Sequence, residues 1–284
     1  MPELPEVETL RRSLCPAIVG RTLVGIRGET FPDVMGGELI DEVSRRLAGN
    51  QIEDLTRRGK YLFFLLSDGS SLLIHLRMTG RLILAPRDAP PIRFEHLALE
   101  LDGELDLRFG DQRKFGRVLH ILPTDIVALR RRIGVEPLTA RFSARRLETL
   151  LTGRNSKIKS ILLDQRLIAG LGNIYVDEAL HLAAIHPERR AGALSQLEIS
   201  RLHRAIRRVL REGLRNRGTS FSSFEDANGE RGRNQHQLRV YGRARKNLPC
   251  LRCGYPLSLL VVGGRTTHYC PTCQLPHAYT EPGN

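Results

Sequence analysis

The sequence predicts a two-domain α+β protein, with an N-terminal β-sandwich flanked by helices and a C-terminal helical domain that ends in a zinc ribbon. Three observations support this fold class. Residues 21–109 largely alternate apolar and polar side chains, the period of strands, whereas residues 143–215 have the helical period. Four cysteines then occur as two close pairs. We place the three parts at 1–133, 134–240 and 241–284.

Composition and charge narrow the possible functions. The chain has 284 residues, and no apolar run approaches the roughly 20 residues of a membrane span. Its acidic N-terminus lacks the pattern of a signal peptide, so we expect a cytoplasmic protein. Lys and Arg number 44 against 31 acidic residues, a net charge of +13. This excess favours a nucleic acid partner, although an arginine-rich proteome also produces basic chains.

The first eight residues contain two prolines and three glutamates and lead straight into a predicted helix. Apolar side chains recur at helical spacing through residues 7–18, so one face of this helix should be buried. A buried helix fixes the N-terminus, and loss of Met1 makes Pro2 the terminal residue. Its secondary amine can attack carbonyl-like carbon, with Glu3 transferring protons. The alternative is a well-capped surface helix without chemistry.

Strand-like patterns continue through the rest of the N-terminal domain. The segment 97–109 alternates on both sides of Asp102-Gly103, which is typical of a hairpin. Asp68-Gly69 marks another turn. The other predicted strands are 21–29, 52–55, 61–66, 71–76 and 81–84.

The sequence becomes helical beyond residues 131–139, where a glycine and a proline interrupt the pattern. Segment 169–173 is a glycine-rich connection that presents a helix N-terminus at Gly172 and Asn173, which suits a phosphate. The alternative is an ordinary helix–turn–helix packing motif. Segment 219–237 is polar and aperiodic, which indicates a mobile functional loop. The predicted helices are 143–151, 156–163, 174–185 and 195–215.

The paired cysteines have the spacing Cys-x2-Cys-x16-Cys-x2-Cys. Two such knuckles predict one zinc ion held by four thiolates. This zinc should be structural, because four thiolates leave no open coordination position for chemistry. Cys15 lies outside this pattern and is predicted to be a small core residue. The predicted ligands are Cys250, Cys253, Cys270 and Cys273.

Together these features resemble the formamidopyrimidine-DNA glycosylase family, bacterial repair enzymes for oxidised purines. The resemblance covers the whole chain. The segments that carry it are 2–9 (PELPEVET), 58–61 (RGKY), 75–80 (HLRMTG), 171–175 (LGNIY) and, in the ribbon, 265–270 (RTTHYC).

The resemblance implies a monomeric DNA glycosylase and abasic-site lyase that acts on double-stranded DNA near the bacterial nucleoid. Pro2 would attack the sugar C1′ and release the base, after which β- and δ-elimination cut the strand. Glu3 would be its acid–base partner, with Glu6 supporting the site. Lys60 and Arg265 match the family's remaining catalytic positions, both of which meet phosphates.

The resemblance also implies a base-flipping device. Met78, Arg113 and Phe115 match the family's three void-filling residues, of which Arg113 bonds to the orphaned base and Phe115 wedges beside it. The ordinary interpretation of Met78 and Phe115 is core packing. This sequence has Asp-Gln-Arg-Lys at 111–114, where the family commonly has Asp-Pro-Arg-Arg, so the loop loses a rigid proline.

Further implied DNA contacts lie along the chain. Asn173 and Arg265 match a pair that clamps the phosphates and kinks the duplex. His75, Lys159 and Tyr241 match positions near the phosphates or the lesion. The ordinary interpretations of these three are a strand histidine, a solvated lysine and a packed tyrosine.

Two other functions compete with this interpretation. An endonuclease VIII-type glycosylase shares Pro2 and Glu3 but prefers oxidised pyrimidines. Leu4, the segment 7–9 and the void-filling residues favour the purine type instead. A non-catalytic zinc-ribbon DNA-binding protein would share the charge and the ribbon, but it has no need of Pro2 followed by Glu3.

Overall fold

The computed structural model is an α+β protein with antiparallel sheets, as the sequence predicts. None of the helices described is long and apolar enough to cross a membrane. The structure describes residues 1–28, 31, 33–221 and 224–276. Residue 277, a histidine that the sequence places near the ribbon, lies outside these ranges.

The chain forms two compact units whose bounds differ from the three predicted ranges. The first unit is Met1–Arg132 with Gly213–Gln235, and the second is Ile133–Glu212 with His236–Asn284. The zinc ribbon therefore belongs to the same unit as the helices. The segment that we predicted as a loop of the helical domain belongs mostly to the first unit.

Two four-stranded sheets form the β-sandwich of the first unit. The strands are β1 (Leu23–Arg27), β2 (Ile52–Arg58), β3 (Tyr61–Leu66), β4 (Ser71–His75), β5 (Gly80–Pro86), β6 (Glu95–Leu101), β7 (Leu105–Asp111) and β8 (Arg117–Ile121). One sheet has the order β1-β6-β7-β5 and the other β2-β3-β4-β8. The predicted hairpin is β6–β7, closed by the pairing of Leu101 with Leu105.

Helices cover the sandwich and contribute to its core. In α1 (Leu4–Ile18) the predicted apolar face is buried and joins both sheets in one hydrophobic cluster. Pro5 lies in the first turn of α1, where its missing N–H removes no helical hydrogen bond. The sequence patterns did not predict α2 (Ile40–Leu47), α3 (Pro123–Arg132) or β8.

Hydrogen bonds attach the segment after α7 to the first unit. The backbone N–H of Ala227 donates to Ser13 Oγ at 3.1 Å, and its carbonyl accepts from Leu84 N–H at 3.1 Å. The described part of 219–237 contains a 3-10 turn at Asn234–His236. Backbone groups in a long loop need partners when they are buried, and here the first unit provides them.

The second unit contains the four predicted helices and a β-hairpin. Asn173 is the first residue of the third helix, as the glycine-rich connection predicts. Gly263 and Gly264 connect the hairpin strands with φ of 56° and 71°, which suits a tight two-residue turn. The elements are α4 (Ala144–Leu151), α5 (Ile158–Leu163), α6 (Asn173–Ala183), α7 (Gln196–Arg215), β9 (Ser258–Val262) and β10 (Arg265–Tyr269).

Candidate functional site

The N-terminus of the chain is fixed at the start of α1, where Pro2, Glu3 and Glu6 are buried. Glu6 Oε2 accepts the backbone N–H of Glu3 at 2.8 Å, and its Oε1 accepts the backbone N–H of Thr219 at 2.7 Å. One carboxylate therefore holds both the residue beside the predicted nucleophile and the segment after α7. Gly218 permits this close approach, because a Cβ there would press on the Glu6 side chain.

Four predicted site residues act electrostatically on the N-terminal amine. Burial is the main cause that lowers the pKa of this ammonium below its ordinary value. The charges of Glu3 and Glu6 oppose the shift, whereas those of Lys60 and Arg113 add to it. A lowered pKa increases the unprotonated, nucleophilic fraction of an amine. Removal of the first methionine transfers the terminal position to Pro2, which is itself buried.

Lys60 and His75 lie near the ends of neighbouring strands, and both are buried. Burial lowers the pKa of His75 to about 3, and the charges of Arg77 and Lys60 lower it further, so its imidazole is neutral at physiological pH. His75 Nδ1 accepts the N–H of Arg77 at 3.0 Å, which leaves the proton on Nε2. A phosphate contact by His75 would therefore be a neutral hydrogen bond.

The predicted void-filling residues lie on two surface loops of the first unit. Met78 is 38% exposed and Phe115 is 48% exposed, so neither is a core residue. The guanidinium carbon of Arg113 lies 4.9 Å from the centroid of the Phe115 ring. Large apolar side chains left in solvent indicate a binding surface, as the base-flipping interpretation requires.

In the second unit the four predicted cysteines form one cluster. Their sulfur atoms all lie within 4.8 Å of one another, with Cys250 and Cys273 3.9 Å apart and Cys253 and Cys270 3.5 Å apart. Thiolates at tetrahedral corners about 2.3 Å from a zinc ion are about 3.8 Å apart, so the cluster fits zinc. A backbone hydrogen bond at Tyr255 is the main cause that lowers the pKa of Cys253 to about 7, whereas burial raises the pKa values of Cys270 and Cys273.

Lys159 occupies a different environment from the one expected. Its Nζ is 2.6 Å from an Asp177 carboxylate oxygen and 2.8 Å from Thr267 Oγ1, and both charged side chains are fully buried. The other Asp177 oxygen accepts the backbone N–H of His268 at 2.8 Å. This geometry contradicts the ordinary interpretation of a solvated lysine, because the ammonium lies inside the second unit, where it holds β10 against α5 and α6. A DNA contact by Lys159 stays a prediction.

The two predicted clamp residues are neighbours in the second unit. Asn173 Nδ2 donates to the carbonyl of Thr266 at 2.8 Å, and Arg265 precedes Thr266 with its side chain exposed. The N-terminus of α6 and the first residue of β10 therefore lie together. Backbone N–H groups at a helix N-terminus and a guanidinium both favour phosphate.

Sequence reasoning missed three residues of α6 that attach the ribbon to the helices: Asp177, Glu178 and His181. Glu178 Oε1 accepts the backbone N–H of the predicted site residue Tyr241 at 2.9 Å. His181 Nε2 lies 3.3 Å from Cys250 Sγ, and burial lowers the pKa of His181 to about 4, so a neutral imidazole can donate to a thiolate. Their spacing within one helix was the available signal, since residues four apart share a face.

We expect Glu6→Gln to lower the free energy of unfolding by about 1–3 kcal/mol. An amide has a single acceptor oxygen, so the N–H of Glu3 or of Thr219 would face an NH2 group. Chemical denaturation measures the change. Glu53→Gln, at an exposed position on β2, is the matched control and should change stability by less than about 0.5 kcal/mol. Equal stability of Glu6→Gln and the parent protein would contradict this role of Glu6.

Three family models match the chain in succession. The model of the formamidopyrimidine-DNA glycosylase N-terminal domain matches residues 1–118. That of the formamidopyrimidine-DNA glycosylase H2TH domain matches residues 133–225. That of a zinc finger found in FPG and IleRS matches residues 247–275. The matches therefore include residues from both compact units.

Relatives match along nearly the whole chain. The formamidopyrimidine-DNA glycosylase of Pelotomaculum thermopropionicum is 47% identical over 277 residues, which cover 96% of this chain and 99% of the relative. A Lactococcus lactis FPG mutant solved with Fapy-dG containing DNA is 39% identical, with a TM-score of 0.88 over 96% of this chain and 100% of that one. The wild-type L. lactis FPG, solved with DNA that contains an oxidised pyrimidine, is also 39% identical, with a TM-score of 0.88 over 96% of this chain and 100% of that one. This chain belongs to the formamidopyrimidine-DNA glycosylase family.

Proposed function

We propose that this protein is a DNA glycosylase and abasic-site lyase of base excision repair, which removes oxidised bases from double-stranded DNA. The observation that carries the proposal is the geometry at the start of α1, where Pro2 and Glu3 are buried next to the chain terminus and the charges of Glu3 and Lys60 act on the terminal ammonium of Met1. Membership of the family supplies the reaction class. Because the partner is chromosomal DNA, we place the activity in the bacterial cytoplasm at the nucleoid, with a monomer as the active species.

In the proposed reaction the Pro2 nitrogen forms a bond to C1′ of the damaged nucleotide as the bond between C1′ and the base breaks. The nitrogen loses its proton, and the base leaves with a proton. The C1′–O4′ bond of the sugar then breaks as O4′ takes a proton, and the lone pair of the nitrogen completes a C1′=N iminium ion. Glu3, which lies beside the amine, transfers protons in these steps. The iminium acidifies the C2′ hydrogen, so β-elimination breaks the C3′–O bond and δ-elimination then breaks the C5′–O bond.

The remaining site residues bind the DNA in this proposal. The enzyme must extrude the damaged nucleotide, at an unstacking cost of a few kcal/mol. Met78, Arg113 and Phe115 fill the vacated space, and their exposure supports this role. Phosphates are held by Lys60, His75, Asn173, Tyr241 and Arg265.

Zinc, when bound to the four cysteines, supplies structure only, since the thiolates fill its coordination shell. The chain's own residues then use the ordered ribbon. Arg265 begins β10, and Lys159 and Asn173 bond to the same strand from α5 and α6. A rigid hairpin therefore presents Arg265 to the phosphates.

We assign oxidised purines as the preferred substrate, on the resemblance of Leu4 and of the void-filling residues to the purine type. Oxidised pyrimidines are the second candidate, because one L. lactis relative has been solved with DNA of that kind. The two substrates can be compared in one competition assay with equimolar duplexes that contain 8-oxoguanine or an oxidised pyrimidine. Faster excision of the pyrimidine would assign the chain to the second preference.

Borohydride trapping tests the proposed chemistry. Incubation with a duplex containing 8-oxoguanine and borohydride should give a covalent protein–DNA adduct whose mass maps to the N-terminal peptide. Pro2→Gly should trap poorly, and a protein that retains Met1 should not trap, because its nucleophile is acylated. An adduct on Lys60 would contradict the assignment of Pro2.

Arg265→Ala should weaken binding to damaged and intact duplexes alike and reduce the salt dependence of affinity by about one counterion. The reason is that a phosphate contact positions the protein without specifying a base. A salt titration of affinity on both duplexes measures the effect. Arg208→Ala is the matched control, because Arg208 is exposed on α7 and paired with Glu212. If the affinity of Arg265→Ala depends on salt concentration as steeply as that of the parent protein, Arg265 does not contact a phosphate.

A further inference from the structure

Asp111, at the end of β7, has a fully buried carboxylate that accepts four hydrogen bonds. Its Oδ2 accepts the backbone N–H groups of Phe115 at 2.8 Å and of Gly116 at 2.7 Å. Its Oδ1 accepts the backbone N–H of Arg113 at 3.2 Å and the hydroxyl of Thr79. The carboxylate therefore has a donor on nearly every lone-pair site that it offers.

These four donors come from both of the loops that carry the proposed void-filling residues. Thr79 directly follows Met78 in one loop, and Arg113 and Phe115 lie in the other. The two loops are also joined directly, because the backbone N–H of Arg113 donates to Thr79 Oγ1 at 3.1 Å. Asp111 is thus the common acceptor that links the loops.

The backbone of the second loop is shaped to wrap around this carboxylate. Lys114 adopts a left-handed conformation with φ of 57°, which turns the chain back toward Asp111. Gly116 lies so close to the Phe109 ring that a Cβ would overlap it. These features bring successive N–H groups to one acceptor, and hydrogen bonds to an ionised acceptor are the stronger kind.

We propose that Asp111 is the positioning residue that fixes Met78, Arg113 and Phe115 relative to one another and thereby sets the discrimination between damaged and intact DNA. The proposal rests on the proposed void-filling role of those three side chains. A loop that is ordered before binding avoids the entropic cost of ordering its side chains on the DNA.

Asp111→Asn tests the structural half of the proposal. The amide oxygen can accept from only one pair of donors, and the NH2 group leaves the backbone N–H groups on the other side without an acceptor, which loosens the whole loop. Amide hydrogen exchange at Arg113, Phe115 and Gly116 should accelerate by at least about tenfold, while exchange within α1 stays unchanged. Asp102→Asn, which alters an exposed acceptor in the β6–β7 turn, is the control and should leave these amides unaffected.

The proposed effect of Asp111 on discrimination is measured as the ratio of the affinities for lesion-containing and intact duplexes. Asp111→Asn should lower this ratio by about tenfold and leave the salt dependence unchanged, because Asp111 meets no phosphate. Thr79→Val, which breaks the link between the loops, should lower the ratio in the same direction, whereas Thr79→Ser keeps the hydroxyl and the ratio. The Thr79 pair decides the matter if Asp111→Asn fails to fold.

A triple variant with Met78→Ala, Arg113→Ala and Phe115→Ala distinguishes the void-filling role of these side chains from the positioning role of Asp111. If this triple variant keeps the parental ratio, the void-filling role fails while the exchange result for Asp111 still stands. If the triple variant loses discrimination, Asp111→Asn should add little to that loss. The inference is overturned if Asp111→Asn alone keeps the parental ratio, or if it lowers the ratio equally with and without the three side chains.

Discussion

Replacing Glu3 with glutamine is expected to lower single-turnover base excision by about 10²–10⁴-fold while duplex affinity stays near the parental value. The amide keeps the shape of the side chain but can neither give nor take the proton. Glu3 is buried beside the N-terminal amine, so its contribution belongs to the reacting sugar and appears mainly in the transition state. Excision of 8-oxoguanine under single-turnover conditions, with affinity measured on the same duplex, separates the two effects.

Glu8→Gln is the matched control for this experiment. Glu8 lies on the same helix, and although burial opposes the shift, hydrogen bonds from Arg11 and Arg12 lower its pKa to about 2. Its replacement removes these ion pairs and should reduce stability without changing the excision rate. If Glu3→Gln excises at the parental rate, or if Glu8→Gln loses excision to the same extent, Glu3 is not the acid–base residue.

Loss of the zinc ion is expected to weaken DNA binding by about 100-fold, which corresponds to two lost phosphate contacts. The reason is that the cysteine cluster holds the hairpin whose second strand begins with Arg265 and bonds to Asn173. Metal analysis should find about one zinc per chain in the parent protein and much less in Cys270→Ser. Far-UV circular dichroism should change little, because the cysteine cluster orders two strands of five residues and the β-sandwich belongs to a separate compact unit.

Cys15→Ser provides the control for the zinc experiment, because it makes the same chemical change outside the metal cluster. It should retain both zinc and DNA affinity. Parental DNA affinity in a metal-free sample would contradict the structural role of zinc. Collapse of the whole far-UV signal in Cys270→Ser would instead show that zinc stabilises more than the second unit.

Elements with strong local patterns were predictable from the sequence. The apolar period of α1, the alternation around Asp102-Gly103 and the spacing of the cysteines each reflect a short-range rule, and the structure contains all three. The helices α2 and α3 have weaker local signals, since the apolar period of α2 at Ile40, Val43 and Leu47 covers only one short helix and α3 buries only Ile126. Their positions depend on packing against the sandwich, which no local window contains.

Contacts between residues distant in sequence were not predictable. The hydrogen bond from Thr219 to Glu6 spans 213 positions, and it draws the segment after α7 into the first unit. The residues next to Lys159 in sequence do not indicate that it is buried, because its hydrogen-bond partners Asp177 and Thr267 lie 18 and 108 positions away. The sequence around these residues does not indicate which distant groups will become their hydrogen-bond partners.

The sequence by itself therefore predicted the chemistry: a terminal amine beside Glu3, a net positive charge that favours DNA and four thiolates for zinc. Each of these depends on residue type and local spacing, which folding does not alter. The tertiary structure alone decided which backbone N–H groups the buried carboxylates of Glu6 and Asp111 accept. A buried carboxylate must find hydrogen-bond donors, and only the folded chain determines which backbone N–H groups lie within its reach.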